Sequence, residues 1–565
     1  MNRRKFIKNA VTLGASISAL GGISCFSSKK SIVGTDSLIF KGGTLIDGSG
    51  SKGYIADILI RAGKIEAIGN FSSSDAYRIV NIEGLVIAPG FIDIHSHTDL
   101  SLFINPNAES KIRQGVTTEI TGQDGSSIAP LTDEMSSSMN KLHKEKYDVD
   151  IQWNSMEEAL SAIEKNGLGV NLATCVGLGT VRKFVIGYDN RPPTSNELSQ
   201  MKKLVDESFR AGVVGVSTGL EYTPGSFAKT DEIIKLAKIA KHYNAPYLTH
   251  IRNEDNFLLE AVDEAITIGK EANVDVIISH LKVSGAKNWY KIESLLERIE
   301  NANKNDIKVQ MDRYPYIAYY TGLSNLFPLW SREGGWVEFK ARLTDPSTID
   351  SMKNYTSDKV EMLGGWNSVM IGSVSKPENK EFEGKRASIL AAERKEEPFE
   401  MILRLLLNDG GGTSMIGFGM DEDNTDRILS HPLCMICSDA GARATYGPLS
   451  ESAAHPRAYG SFARILGHYV REKQLFDLPT GIKKMTSMPA KALGLAGRGL
   501  LSPGYFADLV VFDPEMVKDN ATFIEPHQYS EGFNYVMVNG KIAVEGDEHT
   551  GEIAGKVIRK NGLSS

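Results

Sequence analysis

Cysteine is scarce: the 565-residue chain has four, and one of them, Cys25, sits in an N-terminal run set apart from the rest. The other three, Cys175, Cys434 and Cys437, exclude a disulfide framework, so the core must hold itself together. Cys434 and Cys437 form a CxxC, but within the apolar run 433–437 strand positions three apart face opposite sides, and we read both as buried strand cysteines. An excess of positive charge is also missing. Lys and Arg number 63 against 70 Asp and Glu, a net charge of -7, and no basic runs interleave with aromatics, which argues against nucleic acid as a partner. Long hydrophobic runs are lacking too, since the apolar stretch 10–23 is shorter than the roughly 20 residues a membrane-spanning helix needs. What remains, 41% hydrophobic and 24% charged, is the makeup of a large globular protein with more than one layer or domain.

Residues 1–30 read as an export signal. Arg3 and Arg4, followed by Phe6, Ile7 and Lys8, match the twin-arginine pattern, and the apolar stretch comes after them. Cys25 follows Gly-Ile-Ser, similar to the cleavage site ahead of a lipidated bacterial cysteine, although Gly22 departs from the aliphatic residue such sites prefer. The expected location is periplasmic or membrane-anchored, with Cys25 as the candidate lipid anchor.

From residue 36 to 90, short period-two apolar runs alternate with turn signals such as Ala62-Gly63, and the stretch 491–565 repeats that grammar around Asn539-Gly540. The two ends are expected to form one small β-sandwich. Between them, 91–490, strand-like runs alternate with amphipathic helical stripes, the pattern of an α/β fold. Eight such runs start at Phe91, Thr117, Val170, Gly212, Pro246, Val274, Lys308 and Leu433, which suggests a closed (β/α)8 barrel of the TIM type. The stripes Leu198, Met201, Leu204, Val205, Phe209 and Leu258, Leu259, Val262, Ile266 would cover its outside. Two stretches exceed ordinary loops, 126–167 and 321–430, and the second is long enough for a subdomain or lid.

The run beginning at Phe91 reads FIDIHSH. On a strand His95 and His97 share a face, with Ser96 turned away, so together they can hold one ion. His250, His280 and Asp439 end the fifth, sixth and eighth runs, and in a barrel those ends converge on one mouth. Neutral imidazoles with a carboxylate suit zinc or a similar divalent metal, and five such ligands can hold one or two ions. His143, His242, His431, His468, His527 and His549 lie in helical or loop contexts and are taken as solvated or structural.

These motifs, with QGVTTEITGQDG, GVSTGLEYTPG, THIRNE, SHLK, DRYPY, CSDAG, HPRAYG and RGLLSPGYFADLVVFD, make the chain resemble the amidohydrolase superfamily, in particular its N-acyl-D-amino-acid deacylase (D-aminoacylase) branch. The resemblance implies a metal-dependent hydrolase that cleaves the amide bond of small N-acyl-D-amino acids. It implies His95, His97 and Asp439 as ligands of one metal position, His250 and His280 of the other, and Asp439 as the proton shuttle. It also implies Arg457, Lys282 and Tyr314 as contacts for the substrate carboxylate. The chain departs from the pattern in three places. No lysine occurs in GVVGVSTGLEYTPG, Gln123-Asp124 stands where relatives carry a ligating cysteine, and Leu178 stands where they often carry a histidine. Asp124 or Glu221 is therefore expected to complete the centre, Glu221 being preferred. Alternatives are a dipeptidase acting on D-amino-acid-containing peptides, a cyclic amidase of the dihydroorotase or hydantoinase type, and a non-catalytic binding protein on this scaffold.

Overall fold

The computed structural model describes residues 37–560, and the export-signal reading and Cys25 lie outside them. Among the described residues, eight short parallel strands carry the fold: Phe91–Asp93, Val116–Thr121, Asn171–Thr174 with its continuation Val176–Gly177, Val216–Gly219, Tyr247–His250, Val276–Ile278, Val309–Arg313 and Cys434–Ile436. They coincide with the eight expected runs and pair in order from first to eighth. A bridge between Ser96 and Ala440 brings the eighth back to the first. The barrel is thereby closed, and Ile92, Ile120, Ala173, Val214, Leu248, Ile277 and Met435 fill its inside as one buried cluster. Each buried methylene in such a cluster stabilises by about 0.8 kcal/mol. Cys175, Cys434 and Cys437 are buried and unpaired.

The strands are shorter than the runs that foretold them. Phe91–Asp93 ends before His95, so the alternation that placed both imidazoles on one face does not apply there as ladder geometry. Bonds to the neighbouring strands hold the segment instead: Ser96 N–H donates to the Ile120 carbonyl at 2.9 Å, and Asp439 N–H to the His95 carbonyl at 2.9 Å.

The covering helices follow from local chemistry. Helix Ser195–Ala211 opens with a capping box in which Thr194 and Glu197 satisfy each other's backbone N–H, buries Met201, Val205 and Phe209, and stops at Gly212 with φ 105°. Helix Leu258–Ala272 buries Leu258, Ala261, Val262, Ala265 and Ile268, a stripe that leaves Leu259 and Ile266 only partly covered.

The two chain ends share one nine-stranded sheet. Strand Leu509–Phe512 pairs antiparallel with Val86–Pro89 on one side and with Phe533–Val538 on the other, so N-terminal and C-terminal residues interleave over a common apolar core. The last part of the expected C-terminal half departs from this sheet. Leu172 N–H donates to the Lys556 carbonyl at 3.0 Å and Ile558 N–H to the Leu172 carbonyl at 2.7 Å, fastening residues 556–558 to the third barrel strand. The stretch 126–167 forms helices Asp133–Tyr147 and Met156–Asn166. The stretch 321–430 has a core of its own, including Phe327, Phe339, Leu363 and Phe399, around a sheet of Tyr319–Gly322, Ser414–Gly417 and Val369–Ile371.

The Ala62-Gly63 and Asn539-Gly540 turns meet back to back: a Cβ on Gly540, where φ is 82°, would stand 2.5 Å from the Gly63 Cα. Gly540→Ala should therefore destabilise by more than the roughly 1 to 3 kcal/mol of a strained backbone alone. Gly546→Ala, at φ 62° with nothing within 4 Å, isolates the backbone part. Equal losses for the two variants in denaturant unfolding would show that the turns do not depend on each other.

Candidate metal centre

The strand ends open into a cavity of about 700 Å³ lined by His97, Asp124, Glu221, His250, His280, Asp439 and Arg457, among others. The carboxylate that faces all four imidazoles is Asp124. Its Oδ1 lies 3.4 Å from His95 Nε2 and 3.4 Å from His280 Nε2, and its Oδ2 lies 3.6 Å from His97 Nε2 and 3.9 Å from His250 Nδ1. Asp124 reaches the centre from a tight turn after the second strand, where it adopts φ 52°. Ser217 of the fourth strand ties that turn down, accepting from Gly125 N–H at 3.1 Å and donating to the Gly122 carbonyl at 2.5 Å. The preference for Glu221 is not what the geometry supports. Glu221 stands at the edge, its Oε2 3.7 Å from His250 Nε2 and its side chain about a quarter exposed.

Asp439 is the second carboxylate of the cluster. Its Oδ1 lies 3.1 Å from His97 Nε2 and 3.6 Å from His95 Nε2, while its Oδ2 accepts from Arg457 Nη1 at 2.6 Å. Burial by itself would raise its pKa, but Arg457, then His280 and the other imidazoles, outweigh that and hold the carboxyl well below the usual carboxylate range. Burial likewise opposes a charge on His97, yet Asp124 and Asp439 hold its imidazole up at about 10. Asp124, Asp439 and His280, at φ 52°, 50° and 36°, all occupy the left-handed region that non-glycine residues avoid. Such strain, on the order of 1 to 3 kcal/mol each, collects at functional sites.

Both ring nitrogens of His95, His250 Nε2 and Asp124 Oδ1 are buried without a hydrogen-bond partner. Left so, each polar atom costs free energy, and a shared cation removes that cost. Ligand atoms of His95, Asp124, His280 and Asp439 lie within 4.8 Å of one another, as do those of His250, Glu254 and His280. The donor set of imidazole nitrogens and carboxylate oxygens thus fits zinc or a similar divalent ion.

Of the expected substrate contacts, Lys282 keeps a place at the cavity and Tyr314 does not. Lys282 lies at the cavity wall but turns to Glu254, donating to its Oε1 at 2.5 Å, and is buried. Tyr314 is fully buried and does not line the cavity; its ring lies beneath Arg457, 4.7 Å from the guanidinium carbon. Arg457 itself keeps Nε buried and unpartnered beside Asp439. Sequence reasoning missed four participants. Glu254 Oε1 lies 3.1 Å from His280 Nδ1, and Asp312 Oδ1 accepts from His280 N–H at 2.8 Å. His455 orients Arg457, accepting from its N–H at Nδ1 and donating from Nε2 to the Ala318 carbonyl. His143, taken as solvated or structural, lines the cavity mouth with Tyr147. Glu254 and His455 sit in THIRNE and HPRAYG, but nothing in those strings says which way they turn.

An amidohydrolase family model matches residues 438–544. Over 523 residues the chain is 35% identical to a D-aminoacylase of Alcaligenes xylosoxydans xylosoxydans, covering 93% of this chain and 97% of that one. A D-aminoacylase crystal structure superposes with a TM-score of 0.78 at 34% identity, covering 92% of this chain and 99% of the other. The N-acyl-D-glutamate deacylase of Bordetella bronchiseptica, complexed with zinc and a phosphonate inhibitor that mimics the tetrahedral intermediate, gives 0.78 at 31% identity, covering 92% and 99%.

If Asp124 joins the ligand sets, Asp124→Asn should lower bound metal at least about tenfold, the scale for weakening a metal site's support, and Glu221→Gln should leave it unchanged. Elemental analysis of the purified variants checks both. Loss of metal in Glu221→Gln alone would return the central role to Glu221.

Proposed function

Because the chain belongs to the amidohydrolase family, in its D-aminoacylase branch, we propose that it hydrolyses the amide bond of N-acyl-D-amino acids, releasing a carboxylate and a D-amino acid. The observation that carries this reading is the placement of Asp439. One of its oxygens faces the imidazole cluster, and the other is anchored on an arginine that lines the same cavity.

As the resemblance implies, His95, His97 and Asp439 would hold one divalent ion and His250 and His280 the other, and Asp124, facing all four imidazoles, would complete the set. The chemistry supplied by bound zinc or a similar metal is Lewis acidity, which polarises a carbonyl and brings the pKa of water toward neutrality. Arg457, which lines the cavity, offers the guanidinium N–H groups that Asp439 leaves free to the substrate's α-carboxylate. Asp439, ionised because Arg457 holds its pKa down, accepts the proton of the attacking water at Oδ1. It returns that proton to the amide nitrogen as the C–N bond breaks, so base and acid are one group. With acyl carbonyl and α-carboxylate both fixed, exchanging side chain and hydrogen at the α-carbon drives the side chain against the wall that faced hydrogen. The enantiomers are thus distinguished.

We also infer that residues 1–30 direct export by the twin-arginine route, with Cys25 as the site of a lipid anchor. Arg3, Arg4 and the apolar run after them support this. Replacing both arginines with lysine should trap the protein in the cytoplasm, and unchanged fractionation would contradict it.

Arg457→Ala should lower kcat/KM by about 2 to 4 kcal/mol toward N-acetyl-D-amino acids with metal content intact. It should also move the acidic limb of the pH profile upward, because Asp439 loses the cation that depresses its pKa. Unchanged kinetics, or equal rates with L substrates, would place the carboxylate anchor elsewhere.

A further inference from the structure

The first and eighth barrel strands meet at a thin seam, and His95, His97 and Asp439 all lie on it. One backbone bridge, Ser96 with Ala440, crosses there, with His97 N–H donating to the Ala440 carbonyl at 3.2 Å. The residues between these three, Ser96, Thr98 and Ser438, turn instead into a buried polar cluster that no step of the reaction uses. At its centre is Lys111, from the short helix Glu109–Ile112 ahead of the second strand. Its Nζ donates to Asp93 Oδ2 at 2.7 Å, Ser438 Oγ at 2.6 Å and the Ala440 carbonyl at 2.7 Å. It also lies 3.2 Å from Glu119 Oε1. Glu119 Oε1 accepts from Ser96 Oγ at 2.7 Å and from Thr98 Oγ1 at 2.6 Å, and Asp93 Oδ1 accepts from Ser438 N–H at 2.9 Å. Lys111, Asp93 and Glu119 are all fully buried. Burial opposes the lysine's charge, but Asp93 and Glu119 outweigh it and keep the ammonium ionised.

We propose that Lys111 is a positioning residue for the metal centre: with Asp93 and Glu119 it clamps the first and eighth strands so that His95, His97 and Asp439 stay within reach of one ion. The argument is one of register. Every second residue along HSHT and SDA faces the imidazole cluster, and the residues between them are held by one ammonium and two carboxylates from three elements. Few backbone bonds cross this seam, and the charge-assisted bonds of the buried cluster add to them a fixed direction and distance. Supporting groups of this kind commonly change metal affinity by 10- to 100-fold when removed.

The inference rests on the reading of the cluster as a metal site, and the test separates the two. Zinc-loaded wild-type protein, Lys111→Met/Asp93→Asn, Thr98→Val and Arg182→Met/Glu232→Gln are mixed with a chromogenic chelator, and the rate of metal release is followed. The first variant removes one charge of each sign. The last removes another fully buried ion pair, Arg182 with Glu232 at 2.6 Å, which touches none of the ligands. We expect release at least about tenfold faster from Lys111→Met/Asp93→Asn and within about twofold of wild type from the Arg182 control. Release no faster than from the control would overturn the proposal, because it would make Lys111 one more structural ion pair. Should that variant fail to fold, Thr98→Val decides, since it leaves both charges in place and removes a hydroxyl that donates to Glu119 and accepts from Ala442 N–H across the seam: release about threefold faster supports the clamp, and the wild-type rate overturns it. Wild-type protein that retains no zinc would overturn both this proposal and the metal-site reading beneath it.

Discussion

A single buried carboxylate surrounded by four imidazoles is the constraint on which this molecule is built. Asp124 lies 3.4 to 3.9 Å from ring nitrogens of His95, His97, His250 and His280, which come from the ends of the first, fifth and sixth strands. To bring those groups together the backbone takes positive φ at Asp124, His280 and Asp439, and the barrel must close tightly enough to keep them there. A closed parallel barrel is a solution because its strand ends point at one mouth while its apolar interior stabilises the whole. Strain and unmet polar groups at the mouth are offset by burial in the walls.

The remainder of the chain serves that arrangement at a distance. The nine-stranded sheet takes strands from both sides of the barrel sequence, and Lys556 and Ile558 then pair with the third barrel strand. The 321–430 stretch contributes cavity wall from a separate core: Asn325, Leu326, Lys359 and Met415 line the opening. Lys359 forms an ion pair with Asp255 of the barrel, which ties the insertion to the mouth.

Most of the fold was legible because strands buried on both faces read as apolar runs between turn signals, and helices betray themselves by stripes and caps such as Thr194 with Glu197. The four clustered histidines were legible for a similar reason, each lying at or near the end of such a run. Side-chain direction beyond a strand's last bonded residue was not. Lys282 was implied by the resemblance as a substrate contact. It lines the cavity beside His280, and what the sequence could not say is that its ammonium is taken up by Glu254. Glu221 follows its strand in a turn, past the last paired residue, and stays at the edge. Tyr314 was named with its motif, but Arg313 and Arg457 both stack on its ring and hold it under the cavity. The Lys111 clamp left a faint signal: Asp93 and Glu119 are carboxylates inside runs otherwise fit for burial on both faces.

The central claim is that the carboxylate and imidazole cluster hydrolyses an N-acyl-D-amino acid with the help of a divalent ion. Its most direct test is a titration of chelator-stripped protein with zinc while D-amino acid release from an N-acetyl-D-amino acid is followed. The account predicts negligible release without metal and a rise that is complete by two equivalents or fewer. Full activity in protein stripped of all divalent metal would contradict it.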